Sequence, residues 1–78
     1  MSRARAKEQI TPKVILIRNE DNVHDCLQGL REQRQIIVNI SSLEKSQRYR
    51  IIDFLSGYTY ALNGSREKLE ENIYMFSL

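Results

Sequence analysis

The chain has 78 residues, with 12 Lys and Arg against 10 Asp and Glu, a hydrophobic fraction of 41% and a charged fraction of 28%. That composition describes one small globular domain and excludes a disordered segment. Its core must be thin, because a chain this short buries only about 60% of its unfolded surface. No run approaches the roughly 18 apolar residues of a membrane span, and the single cysteine forms no internal disulfide, which fits a reducing cytoplasm.

Residues 1–12 read as a basic N-terminal extension and residues 13–78 as the globular domain. Over residues 1–18, Arg3, Arg5, Lys7, Lys13 and Arg18 are set against Glu8 alone. A basic end of this kind suits nucleic acid or an anionic surface, and equally a solvated terminus. "MSRARAKEQ" has neither the apolar stretch of a signal peptide nor the bulky hydrophobic face of a membrane-surface helix.

After Pro12, the apolar, β-branched run "KVILIR" (13–18) predicts a buried strand. "NEDN" (19–22) is a turn and cap cluster with acids suited to a helix N-terminus. Val23, Cys26, Leu27 and Leu30 then recur at helical spacing, giving a first helix of about three turns with Gly29 near its end. "QIIVNI" (35–40) predicts a second buried strand. "SSLE" (41–44) has the pattern of a capping box, so a long second helix starts there and runs to about Leu62. "NG" (63–64) ends it, since both residues tolerate left-handed backbone angles. "SREKL" reads as a short strand or turn and "NIYMFSL" (72–78) as a final strand, the two pairing as a hairpin through "EEN".

The order β-α-β-α-β-β predicts an α/β two-layer sandwich, with two helices packed on a mixed sheet of about four strands. The helical crossover makes the first two strands parallel neighbours with a right-handed connection. Two helices cannot cover both faces of such a sheet, so one face is left partly open. The second helix is unusual. Ile51, Phe54, Leu55, Tyr58 and Leu62 form a face able to bury against the core, yet the opposite face holds Tyr49, Ile52, Ser56 and Tyr60 with Asp53 as its only charge.

Little in the sequence serves catalysis. His24 and Cys26 stand without a further ligand cluster, and Cys26 lies on the apolar stripe of the first helix, where a buried packing thiol is expected. Gly29, Gly57 and Gly64 do not have the spacing of a phosphate loop. The acid pair Glu70–Glu71 lies in a polar turn. We therefore expect a binding or structural protein without catalytic residues, metal or cofactor. Tyr74 and Phe76 share one face of the last strand and suit base stacking, so a small α/β RNA-binding domain using the basic N-terminus is the alternative. The scattered basic residues and the lack of a glycine- and aromatic-rich stretch weigh against it.

The segment "QIIVNISSLEKSQRYRIIDFLSGYTYALNGSREKLEENIYMF" resembles the C-terminal domain of the SepF family of bacterial cell-division proteins. The family pattern of a strand ending Val-Asn-Leu, a helix ending Arg-Ile-(Val/Ile)-Asp-Phe-Leu-Ser-Gly, then Tyr-Ala, a glycine turn and a strand starting Ile-Phe is matched in order. Its counterparts here are Val38-Asn39-Ile40, Arg50 through Gly57, Tyr60-Ala61, Asn63-Gly64 and Ile73-Tyr74. The resemblance covers roughly residues 13–76, and "RIIDFLSG" is its most specific block. Departures are Asn63 in the family's double glycine, Arg48 where a helix alanine is common, and a last strand that reads Ile73-Tyr74-Met75-Phe76-Ser77-Leu78. The family's membrane-binding N-terminal helix and linker have no visible counterpart, so membrane contact is expected only through a segment outside this chain.

The resemblance implies a cytoplasmic adaptor at the division site that dimerises, assembles further and binds the C-terminal tail of FtsZ, the tubulin-like division protein. The second face of the long helix then meets the same helix of another subunit in a two-fold contact, through Tyr49, Ile52, Asp53, Ser56, Gly57 and Tyr60. A mid-helix glycine costs ~1 kcal/mol against alanine, and close helix approach is a usual reason to keep one. By motif, the FtsZ-tail contact falls on Arg48 and Tyr74, with Tyr49 as helix neighbour. Nucleic acid is not an expected partner on this reading.

Overall fold

The computed structural model describes residues 11–78, so most of the basic extension lies outside the described residues. Alternation sets the first strand. In β1 (Lys13–Leu16), Ile15 points into the core while Val14 and Leu16 are 71% and 40% exposed. The chain then turns on asparagine side chains. Asn19 Oδ1 accepts from the Asp21 amide at 2.8 Å, and Asn22 Oδ1 accepts from the Arg18 amide at 2.8 Å. α1 (Asn22–Gln33) follows, burying Cys26, Gly29 and Leu30, with Asp25 in its first turn and Arg31 in its last to suit the helix dipole. It ends on Arg34, whose left-handed φ of 65° lets its amide donate to the Leu30 carbonyl at 3.0 Å.

β2 (Gln35–Asn39) runs parallel to β1, Ile15 lying beside Val38. The capping box falls three residues later than the sequence suggested. Asn39 Oδ1 takes the Ser41 amide and hydroxyl at 2.9 and 2.7 Å, which holds residues 41–43 in a turn that buries Leu43. The helix starts only after Glu44, whose amide donates to Gln47 Oε1 at 3.2 Å. α2 (Lys45–Ala61) ends where Asn63 takes a φ of 64°. Gly64 does not share that backbone; it is glycine because a side chain there would strike the Ser77 carbonyl and the Thr59 methyl. β3 (Ser65–Glu70) and β4 (Ile73–Ser77) form the expected hairpin, with Asn72 at φ 64° in the turn and an irregular register between Lys68 and Glu70.

The sheet order is β1-β2-β4-β3, so β4 enters antiparallel between β2 and β3. α1 packs on β1 and β2, and α2 on β3 and β4. Both helices cover one face, where Ile17, Ile36, Val38, Leu30, Leu55 and Phe76 are fully buried. The other face shows Val14, Ile37 and Met75 in one cross-strand row and Leu16 and Ile73 in the next, without a helix over them among the described residues. This is the α/β sandwich that the order of elements predicts.

α2 is rotated relative to the expected orientation. Its buried residues are Ile51, Ile52, Leu55, Ser56 and Thr59, whereas Phe54 is 51% and Leu62 50% exposed. Ile52 and Ser56, each 7% exposed, therefore belong to the core side and not to the solvent face. The reason is the hairpin: β3 and β4 extend the sheet past β2, and α2 turns its Ile52–Ser56 edge down onto them.

Candidate functional site: a groove between helix α2 and strand β3

Every residue of β3 is exposed, although α2 touches the strand. In the antiparallel register Arg66 lies opposite Phe76 and Lys68 opposite Tyr74, so both cations stand on the helix-covered side of the sheet. Charged side chains there do not collapse against α2, and a groove of about 590 Å³ remains between them. Tyr74, Ile40 and Ile52 give it an apolar lining, α2 supplies Lys45, Arg48, Tyr49 and Asp53, and the hairpin turn supplies Glu71 and Asn72.

Several of these side chains are held in place. Arg48 Nε donates to the Leu43 carbonyl at 2.8 Å, fixing the guanidinium against the loop before α2. Arg66 donates to Ser56 Oγ at 3.1 Å, and its guanidinium carbon is 5.9 Å from the centre of the Tyr74 ring. That ring stacks in turn on Phe76, centroids 6.4 Å apart at 25°. Lys68 Nζ lies 3.4 Å from Glu71 Oε1. Four cationic side chains against two carboxylates make the groove electropositive.

The sequence-expected tail residues Arg48, Tyr49 and Tyr74 all line this groove, brought together from α2 and β4. Of the expected dimer residues, Tyr49, Asp53, Gly57 and Tyr60 are exposed along α2, while Ile52 and Ser56 are withdrawn into the core of their own chain. Arg66 and Lys68 were not singled out in the sequence. The signal was the alternation of "SREKLE", which puts the two cations on one face once the hairpin register with Tyr74 and Phe76 is known.

A second, shallower hollow of about 290 Å³ lies between the N-terminal turn of α1 and the middle of α2, lined by Val23, His24 and Phe54 beside an exposed Arg50–Glu20 pair at 3.4 Å. Cys26 is fully buried, and burial pushes its thiol up to about 12, with Asp25 adding to the effect and Lys13 opposing it. A thiol so protonated is a packing group. His24, exposed on the same helix, does not share its environment.

The fold is thus a two-layer α/β sandwich with an open, electropositive, part-apolar groove between α2 and β3. Comparison with known proteins makes this specific. The family model described as cell division protein SepF matches residues 13–77. Curated relatives named cell division protein SepF include one from Brevibacillus brevis, 42% identical over 72 residues, which are 92% of this chain and 51% of that protein. One from Pelotomaculum thermopropionicum is 39% identical over 71 residues, 91% of this chain and 48% of that protein. A third, from Heliobacterium modesticaldum, is 36% identical over 73 residues, 94% and 45% of the two chains. The chain belongs to the SepF family of cell-division proteins, and it spans about half the length of these curated relatives.

Proposed function

We propose that the chain is a non-catalytic adaptor of cytoplasmic cell division that forms dimers and further assemblies and holds the C-terminal tail of FtsZ in the groove between α2 and β3. The observation that carries this reading is the meeting of Arg48, Tyr49 and Tyr74 in one groove. A short peptide needs an apolar anchor site and a few fixed polar groups to set its register. Tyr74 with Ile40 and Ile52 offers the first, and the tethered Arg48 and Arg66 offer the second.

The solvent face of α2 supports the self-association half of the reading. Tyr49 and Tyr60 are 62% and 52% exposed, flanking Asp53 and Gly57. A Cβ on Gly57 would meet nothing within 4 Å, so the glycine leaves a bare strip of backbone outward. A self-complementary patch of this kind suits a two-fold contact.

Titration of a fluorescent FtsZ tail peptide, with a single-stranded RNA in parallel, tests the proposal. Binding of the peptide with the RNA inert is expected. Salt-dependent RNA binding with an inert peptide would replace the adaptor with the RNA-binding alternative.

A further inference from the structure

The cations of the groove are not equally placed. Lys68 lies against Glu71. Lys45, Arg48 and Arg66 have no carboxylate partner among the described residues, and each of the two arginines gives one donor to its own chain, Arg48 to the Leu43 carbonyl and Arg66 to Ser56 Oγ. Arg66 differs in resting beside the ring of Tyr74, the apolar wall of the groove. Ser56 is itself 7% exposed on a packed helix, so the guanidinium is oriented from below by a fixed hydroxyl and from the side by a fixed ring.

An arginine held in this way, with donors left over and an apolar surface beside it, is prepared for a planar anion. The bond to Ser56 reduces the side-chain freedom to be lost when the anion arrives. Arg66 is opposite Phe76 and diagonal to Tyr74, so a group bound to it lies next to whatever rests on the Tyr74 ring.

We infer that the groove selects an extended peptide bearing a carboxylate beside its apolar anchor, and that Arg66 is the specificity-determining side chain that reads the carboxylate. The inference rests on the tail-binding reading above. It assigns the recognition to β3, not to the Arg48 of α2 that the sequence singled out. Arg48 and Lys68 contribute general positive potential, which salt screens; Arg66 contributes the directed pair.

The test uses two peptides with amidated C-termini: the FtsZ tail, and the same tail with each Asp and Glu changed to its amide. Both are titrated by fluorescence anisotropy against the parent, Arg66→Gln and Arg66→Lys, with circular dichroism confirming fold. The acidic peptide should bind the parent about tenfold more tightly than its amide counterpart, the scale of one hydrogen bond to a charged group. Arg66→Gln should lose that preference, the two peptides binding it with equal affinity. Arg66→Lys should keep part of it, having the charge without the fork. Equal affinity of the parent for the two peptides overturns the inference and leaves tail binding standing. A preference undiminished in Arg66→Gln gives the carboxylate to another side chain and also overturns it. If neither peptide binds the parent, the tail reading fails and this inference falls with it.

Discussion

Glycine inside a helix gives up about 1 kcal/mol against alanine, and α1 accepts that cost at Gly29 because of what lies beneath it. A Cβ there would stand 2.8 Å from Ile36 Cγ2 and 3.2 Å from Lys13 Cδ. Ile36 is fully buried and branched at Cβ, so its methyl has nowhere to retreat. Gly29 thus marks a close approach between α1 and the β1–β2 pair, in the body of the helix and not at its end as the sequence suggested. Overpacking of this kind costs ~1–3 kcal/mol, which exceeds the gain in helix propensity. Gly29→Ala should therefore lower the unfolding free energy by about 1 kcal/mol, read from urea denaturation. An increase in stability would mean that α1 rides higher on the sheet.

The opposite result is expected on the second helix. Gly57 meets open space, so Gly57→Ala adds helix propensity without a clash and should stabilise the separated monomer by up to ~1 kcal/mol. Thermal melts at low protein concentration check this; a loss of stability there would reveal a contact that the fold does not contain. Order and type of the elements, the parallel β1–β2 pair and the β3–β4 hairpin were legible in the sequence because alternation, helical spacing and turn residues act locally, whereas the insertion of β4 between β2 and β3 was not. Nor was the orientation of α2. Phe54 and Leu62 look like core residues by hydropathy, yet Ser56 and Thr59 take the buried positions because small side chains let α2 settle close to β4 and Gly64. The helix start was misplaced for a similar reason: Asn39 captures Ser41 before it can cap anything. Arg48, Tyr49 and Tyr74 were expected together from motif positions and line one groove, whereas placing Arg66 there needed the β3–β4 register beside the alternation of its strand.

At the scale of the molecule, α2 presents two surfaces in different directions. One edge, carrying Arg48 and Ile52, forms a wall of the groove; the outward strip, carrying Gly57 and Tyr60, faces solvent. Tyr49 and Asp53 border both. Peptide capture and self-association should therefore be separable by mutation. Ile52→Lys cannot serve as the probe, because Ile52 is buried in its own chain and an unpaired cation there would unfold the domain. Gly57→Lys places the cation on the outward strip, where it is desolvated only if another subunit covers it. We expect this variant to halve the mass seen by light scattering while still binding the tail peptide. Tyr74→Ala should do the reverse, keeping the parent's mass and weakening the peptide by ~1–3 kcal/mol, the range for interface aromatics. Tyr74 also packs beside Phe76 at the edge of the core, so Tyr74→Phe is the control for fold: it keeps the stack and loses only the hydroxyl. If Gly57→Lys retains the parent's mass, the contact lies elsewhere, and the uncovered sheet face with Val14, Leu16 and Met75 is the surface to test next. If instead each variant loses both properties, the groove is completed only in the dimer, and the two functions are one.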